Sequence, residues 1–184
     1  TGTWVAHLHA GDTYLPVALE RMRPELAAAD ADVLCGWILK EEDGAEVLCR
    51  CDPMRLPLDM TVNHPASFTR HALLDRLGGF DVGLRNAMDY DFFLRAYQAG
   101  ARFRVVPEAL TRVAGGGQSE WSLWKTLRET HEVRRRHLRA GFGRSPLWLA
   151  ALYAKGSVRI GLQRAGPRAF VAWHRRRFSY PRKG

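Results

Sequence analysis

The sequence contains no apolar run long enough to cross a bilayer and only three cysteines. A membrane-spanning helix needs about 20 consecutive apolar residues, so the sequence predicts no span. Cys35, Cys49 and Cys51 are an odd number without a disulfide framework, which favours reduced thiols and a cytosolic setting. Combined with His64, they match no common zinc-ligand spacing.

A secretory leader is also missing from the sequence. Thr1 is not an initiator methionine, and no basic segment precedes the first apolar stretch, which begins at Trp4. A domain seldom begins in this way. We therefore expect the chain to be a fragment of a longer protein.

Acidic residues are scarce in the last third of the chain. Residues 120–184 contain 3 Asp and Glu against 16 Lys and Arg, whereas residues 1–119 contain 16 against 12. The net charge of +9 therefore comes from a strongly basic tail on a mildly acidic body. The overall composition, with 46% hydrophobic and 26% charged residues, is that of a globular protein.

Hydrophobic spacing predicts alternating strands and helices, followed by helices alone. The predicted strands cover residues 4–9, 32–39, 45–51, 102–107 and 108–113, and residues 61–69 are predicted to be extended. The predicted helices cover residues 16–29, 70–77, 88–99, 121–140, 147–163 and 167–178. We expect an α/β domain over residues 1–118 and a helical extension over residues 119–184.

Two acids fall in the first turn of the predicted helix that begins at Met88. A carboxylate at this place is favoured by the helix dipole and by unpaired amides. Asp89 and Asp91 are therefore open to two interpretations, ordinary capping residues or a catalytic acid–base group.

Asp12 follows the first predicted strand, at the end where ligands bind in open α/β sheets. Its carboxylate is the hard oxygen ligand that a divalent cation prefers. The alternative is that Asp12 caps the helix near Pro16. A metal site shared with His7 and His9, which lie on one strand face, is a third interpretation.

Five segments, in order over about residues 3–140, resemble family 2 glycosyltransferases with a GT-A fold. They are WVAHLHAGDTYLP at 4–16, NHPASFTR at 63–70 with LGGFD at 77–81, MDYDFFLR at 88–95, FRVVP at 103–107 and GGGQS at 115–119. The third is similar to the family's "EDYDLxLR" segment. The resemblance implies a partial GT-A-like fold, which is a Rossmann-like mixed sheet flanked by helices, with a C-terminal helical extension.

The resemblance also implies a role for each matched residue. Asp89 is similar to the general base that deprotonates the acceptor hydroxyl in an inverting transfer. Asp12 resembles the acid that meets Mg²⁺ or Mn²⁺ and the diphosphate of a UDP-, GDP- or dTDP-sugar. The residues implied on the substrate side are His64, Gly79, Phe80, Asp81, Asp91 and Arg95. Asp91 and Arg95 also have the i, i+4 spacing of an ion pair. The implied acceptor is a cell-surface glycan or a lipid-linked saccharide.

Two positions depart from the family's pattern. Ala10 and Gly11 stand where the first acid of the "DxD" motif is usual, and Met88 replaces the Glu that usually precedes the base. The family's N-terminal nucleotide-binding half has no counterpart in this sequence. These departures leave an alternative open, a non-catalytic domain that binds a membrane or a partner and keeps only the fold.

Tryptophans alternate with basic residues in the tail, which is the pattern of helices that lie on anionic lipid. Arg175, Arg176 and Arg177 form a run of three arginines near its end. We expect a cytoplasmic protein with peripheral contact to the inner face of the cell membrane. A solvated basic face over a helical core is the alternative. The sequence shows no nucleic-acid-binding motif beyond charge, so no nucleic-acid partner is expected.

Overall fold

A computed structural model describes residues 2–28, 30–42, 45–114 and 123–138, together with residues 145, 147, 150, 151, 153 and 154. The strands in these residues are β1 (Trp4–Ala6), β2 (Thr13–Tyr14), β3 (Val33–Glu42), β4 (Ala45–Cys49), β5 (Ser67–Arg70) and β6 (Phe103–Val113). The helices are α1 (Ala18–Ala28), α2 (His71–Leu77), α3 (Met88–Gln98) and α4 (Leu123–His137). Short 3₁₀ helices cover Pro53–Arg55 and His64–Ala66.

The strands form one mixed sheet in the order β1-β5-β3-β6-β2, and β4 pairs with the C-terminal half of β3. β3 and β6 are parallel, and the other pairs are antiparallel. The register between β3 and β6 shifts around Gly36, because Cys35 pairs Val105 whereas Trp37 pairs Ala109. Pro107, which has no amide hydrogen, lies inside this bulge and costs the ladder no hydrogen bond.

Each face of the sheet buries its own core, because successive side chains of a strand point to opposite sides. On one face, Val33 and Cys35 pack with α2, α3 and Val133 of α4. On the other face, Leu34 and Ile38 pack with Ala18 and Met22 of α1 and with residues of β5 and β6. The fold is therefore a sheet between helices, and the predicted α/β class is confirmed.

α3 is the most deeply buried helix among the described residues. Its start at Met88 is where hydrophobic spacing predicted it, and the chain leaves it through Gly100 at φ +73°. Its buried side chains are Tyr90, Asp91, Phe92, Phe93, Leu94 and Ala96. The rigid core around α3 fixes the direction of the side chains in its first turn.

Several elements differ from the sequence prediction. β1 ends at Ala6, three residues earlier than predicted, and β2 was not predicted. β6 is one strand across Pro107, where two were predicted, because the bulge accommodates the proline. Residues 64–66 form a 3₁₀ turn within the segment predicted to be extended. The helix predicted over residues 167–178 lies outside the described residues, and only residues 147, 150, 151, 153 and 154 of that predicted over 147–163 are described, all helical. None of the described helices is long and apolar enough to span a membrane.

Candidate functional site

Asp89 is the second residue of α3 and is partly buried at the positive end of the helix. Its Oδ1 accepts a hydrogen bond from the backbone N–H of Tyr90 at 2.7 Å. Among the described residues, no partner is recorded for its Oδ2. Burial raises the pKa of Asp89, although the Tyr90 amide, its own amide and the charge of His9 act in the opposite direction. Asp89 is thus a carboxylate of increased basicity, and no other described residue donates a hydrogen bond to its Oδ2.

Three histidines and Phe80 lie together in front of α3. The His64 ring centroid is 5.1 Å from that of His7, 5.2 Å from that of His9 and 5.6 Å from that of Phe80. His64 is only 8% exposed, and its Nε2 has no hydrogen-bond partner among the described residues. Burial, followed by the charges of His7 and His9, lowers the pKa of His64 to about 3. The His64 imidazole is therefore neutral at physiological pH.

This burial of neutral His64 predicts a loss of stability in acid. Between pH 6.5 and about pH 3 the unfolded chain binds a proton at His64 that the folded chain does not bind. The free energy of unfolding should therefore fall as the pH is lowered through this window. His64→Gln should flatten the slope, whereas His71→Gln, on the exposed surface of α2, should retain it. Urea denaturation at a series of pH values measures both, and equal slopes in wild type and His64→Gln would contradict the prediction.

Asp12 lies in the turn between β1 and β2. Its Oδ1 accepts a hydrogen bond from the backbone N–H of Ala114 at 3.2 Å, and its own N–H donates to the carbonyl of His9 at 3.0 Å. The carboxylate therefore joins the β1–β2 turn to the end of β6. α1 begins only at Ala18, and the recorded bond of the Asp12 side chain goes to Ala114.

His9 connects the two predicted acids. Its carbonyl receives the Asp12 amide, and its ring is close enough to Asp89 to affect the pKa of that carboxyl. The His9 ring thus lies against His64 and near Asp89, and the Asp12 backbone is bonded to the His9 carbonyl. Within the described residues, no group of three or more His, Cys, Asp or Glu side chains is arranged to hold a metal ion.

Gly79, Asp81, Asp91 and Arg95 form a second group around the glycine turn after α2. Arg95 donates from Nε to Asp91 Oδ2 at 2.8 Å, from Nη1 to the Leu77 carbonyl at 2.6 Å and from Nη2 to the Gly79 carbonyl at 2.7 Å. The i, i+4 pair expected from the sequence is therefore present, and it also holds the glycine turn after α2. These four residues line an open pocket of about 270 Å³, with Phe80 at its boundary.

α4 completes this second group. His137 Nε2 lies 2.7 Å from Asp91 Oδ1, and Arg136 Nη1 donates to Asp81 Oδ2 at 2.8 Å. A hydrogen bond from the Gly83 amide, followed by the bond from Arg136, lowers the pKa of Asp81. Asp81 and Asp91 are thus bonded to basic side chains, whereas among the described residues the hydrogen bonds to the Asp89 carboxylate come from backbone amides.

The polar contacts from α4 to α3 were not expected from the sequence. Glu129 accepts hydrogen bonds from the turn before α3, and buried Arg134 donates from Nη1 to Tyr90 Oη at 2.9 Å and to the Leu58 carbonyl at 2.6 Å. Glu129, Val133 and His137 recur every four residues, so they share one helix face. That spacing is the signal that could have revealed a buried polar face in a helix assigned to lipid contact.

Two solved structures similar to this chain are much longer than it is. S. aureus TarS 1–349 in complex with UDP-GlcNAc is 21% identical with a TM-score of 0.55, and the match covers 72% of this chain and 41% of that chain. The mannosyltransferase PcManGT from Pyrobaculum calidifontis in complex with GDP-Man and Mn²⁺ is 17% identical with a TM-score of 0.51, and the match covers 98% and 56%. This chain therefore spans about half the length of the structures it matches.

These similarities establish the fold. They confirm the predicted α/β architecture and support a GT-A-like arrangement. No protein-family profile matches the chain. No curated protein matches it in sequence.

Proposed function

We propose that this chain is the acceptor-side part of a family 2 glycosyltransferase. The enzyme transfers a sugar from a nucleotide-sugar donor to a hydroxyl of a glycan or a lipid-linked saccharide, with inversion at the anomeric carbon. The observation that carries the proposal is Asp89, a partly buried carboxylate of raised pKa at the N-terminus of α3. Its support is the fold shared with structures that contain UDP-GlcNAc and GDP-Man.

Asp89 has the properties of the general base in such a reaction. An inverting transfer needs one base, which removes the proton from the acceptor hydroxyl while that oxygen attacks the sugar from the face opposite the leaving nucleotide. The Tyr90 amide holds Oδ1, so Oδ2 receives the proton. The raised pKa brings the carboxylate closer to the working pH and makes it a stronger base. We infer that His64 belongs to the substrate side of this site, where its neutral ring adds no charge.

Asp12 is the residue that would hold Mg²⁺ or Mn²⁺. One carboxylate fits this purpose, because Mg²⁺ commonly binds through one or two carboxylates and the substrate's phosphates. The Ala114 amide occupies Oδ1, which leaves Oδ2 for the cation. When bound, the metal would stabilise the negative charge of the leaving diphosphate.

Donor binding tests this assignment. In the full-length protein, calorimetry with UDP and with GDP should show an affinity that rises with Mn²⁺. Asp12→Asn keeps an oxygen for the Ala114 amide but removes the charge, so we expect the Mn²⁺-dependent part to weaken about tenfold or more. The nucleotide affinity of Asp12→Asn without metal should stay at the wild-type value. The control is Asp75→Asn, on the exposed surface of α2, whose nucleotide affinity should equal that of wild type with and without Mn²⁺. Equal Mn²⁺ dependence in Asp12→Asn and wild type would contradict the role of Asp12.

A second candidate is a non-catalytic domain with the same fold. It is favoured by the described residues, which contain no preformed metal-binding group, and by the residues at the first "DxD" position. The two candidates differ in turnover. Release of UDP or GDP from the corresponding sugar nucleotide by the full-length protein supports the enzyme, and its absence with both donors supports the binding domain.

Peripheral contact with the inner face of the membrane stays a prediction, and with it the cytoplasmic location. Arg175, Arg176 and Arg177 lie outside the described residues. Within α4, Arg134 and Arg136 contact other parts of the protein. Trp124 stacks on Tyr153 with ring centroids 4.9 Å apart. Lipid contact would therefore depend on the outer basic residues of α4 and on the distal arginines.

A further inference from the structure

Glu129, in the middle of α4, places its carboxylate against the turn that leads into α3. Its Oε2 accepts hydrogen bonds from the backbone N–H groups of Arg85, Asn86 and Ala87 at 3.1, 2.7 and 3.0 Å. Its Oε1 accepts one from Asn86 Nδ2 at 3.2 Å. Burial alone would raise the pKa of Glu129, but the bonds from Asn86, Ala87 and Arg85 outweigh it and lower that pKa. The carboxylate is therefore charged at neutral pH.

These bonds occupy the amides that precede the first turn of α3. The N-cap residue of α3 is Ala87, which has no side-chain oxygen to accept from the first amides. A carboxylate 42 residues further along the chain accepts from the backbone N–H of Ala87 itself. Within the first turn, Asp89 Oδ1 accepts from the backbone N–H of Tyr90. Because an unsatisfied amide at a helix start is costly, Glu129 fixes both the turn and the position at which α3 begins.

Two carboxylates divide the amides at this helix start. Glu129 Oε2 accepts hydrogen bonds from the amides of residues 85–87, and Asp89 Oδ1 accepts one from the amide of Tyr90. The amides before the helix are thus occupied by Glu129. They offer no hydrogen bond to the Asp89 carboxylate. Other residues of α4 contact the neighbours of Asp89, because Arg134 donates to Tyr90 Oη and His137 lies against Asp91.

We propose that Glu129 is a positioning residue for Asp89, acting through the 85–87 turn without touching substrate. The inference rests on the proposed role of Asp89 as base. It makes α4 part of the catalytic apparatus, although α4 follows the boundary predicted at residue 118.

The test compares Glu129→Ala and Glu129→Gln with two controls on the same helix. Val133→Ala removes buried core contacts from α4, and Glu132→Gln changes an exposed carboxylate whose recorded partner is Arg136. The readouts are hydrogen exchange of the 85–87 amides and the titration of Asp89 followed by ¹³C NMR of its carboxyl, assigned with Asp89→Asn. Among the described residues, the ionisable groups around Asp89 include His9, Glu129 and Arg134. His7 and His64 lie behind His9, and Arg134 is bonded to Tyr90. The titration is therefore repeated in a His9→Gln background.

In Glu129→Ala, exchange of the Asn86 and Ala87 amides should accelerate about tenfold or more. The pKa of Asp89 should fall by about one unit, because its carboxylate gains the released amides. Glu129→Gln keeps an acceptor oxygen and should recover most of the amide protection. Val133→Ala should lower the melting temperature and leave the Asp89 titration in place, and Glu132→Gln should change neither.

Two results would overturn the inference. One is wild-type exchange and titration in Glu129→Ala. The other is the same titration shift in Val133→Ala, which would reduce Glu129 to a general stabiliser of α4. If Asp89→Asn keeps wild-type turnover, the proposed role of Asp89 as base fails instead, whatever the titrations show.

Discussion

Asp89→Asn should lower kcat of the full-length enzyme by about a thousandfold, within the 10²–10⁴ that a positioned general base contributes. Asparagine keeps the oxygen that accepts from the Tyr90 amide, so the start of α3 should be unchanged. It removes the basic Oδ2, so the acceptor hydroxyl keeps its proton in the transition state. Initial rates with a saturating sugar nucleotide, and calorimetry with the corresponding nucleoside diphosphate, measure the two effects separately.

Donor affinity should stay within about twofold of wild type, because Asp89 is proposed to act on the acceptor. Asp75→Asn is the matched control, since that carboxylate is on the exposed surface of α2 and pairs with His71. Turnover of Asp89→Asn at the wild-type rate would rule out Asp89 as the base. A large loss of donor affinity with unchanged kcat would place Asp89 on the donor side instead.

The pH dependence follows from the direction of the pKa shift. Burial raises the pKa of Asp89, so this carboxyl stays protonated at higher pH than an ordinary aspartate does. Activity that needs the ionised form should fall in acid, with the midpoint of kcat/KM above the usual aspartate range. The loss of this acidic limb in Asp89→Asn would link it to Asp89.

Local pattern was sufficient to predict α3. Met88, Phe92 and Tyr97 recur at helical spacing, and Gly100 ends the helix by adopting a positive φ. The pair of Asp91 with Arg95 is likewise encoded within one helical turn. Such features depend on residues close in sequence, so a single chain without coordinates reveals them.

Long-range polar contacts could not be predicted in the same way. Glu129 stands next to Arg128 and near Glu132, and in sequence it looks like one more charge on a solvated face. Its bonds reach 42 to 44 residues back along the chain, and only the packing of α4 on α3 brings them together. The imidazole cluster is similar, because His7 and His9 meet His64 only after β1 pairs with β5.

The local sequence also does not show that the two acids of this motif have different environments. Asp89 and Asp91 both lie in the first turn of α3, but they face different environments. Asp91 is 3% exposed between Arg95 and His137, whereas Asp89 is partly buried, with an oxygen for which no described partner is recorded. The resemblance implied a base at Asp89 and a substrate-side position for Asp91, which also has the spacing of an ion pair with Arg95. The contacts favour a structural role for Asp91.

Asp91→Ala should therefore cost about 3–5 kcal/mol of the free energy of unfolding, as expected when one partner of a buried ion pair is removed. Arg95 would keep its bonds to the carbonyls of Leu77 and Gly79 but lose its counter-charge, and His137 would lose its contact with α3. Asp89→Ala should change stability by less than about 1 kcal/mol or increase it, because catalytic carboxylates are commonly held at some cost to the fold. Urea denaturation of both variants and of Asp75→Ala measures the difference, provided that the m-values agree. If Asp91→Ala costs less than about 1 kcal/mol yet abolishes transfer, Asp91 binds substrate, and the structural interpretation of its contacts is wrong.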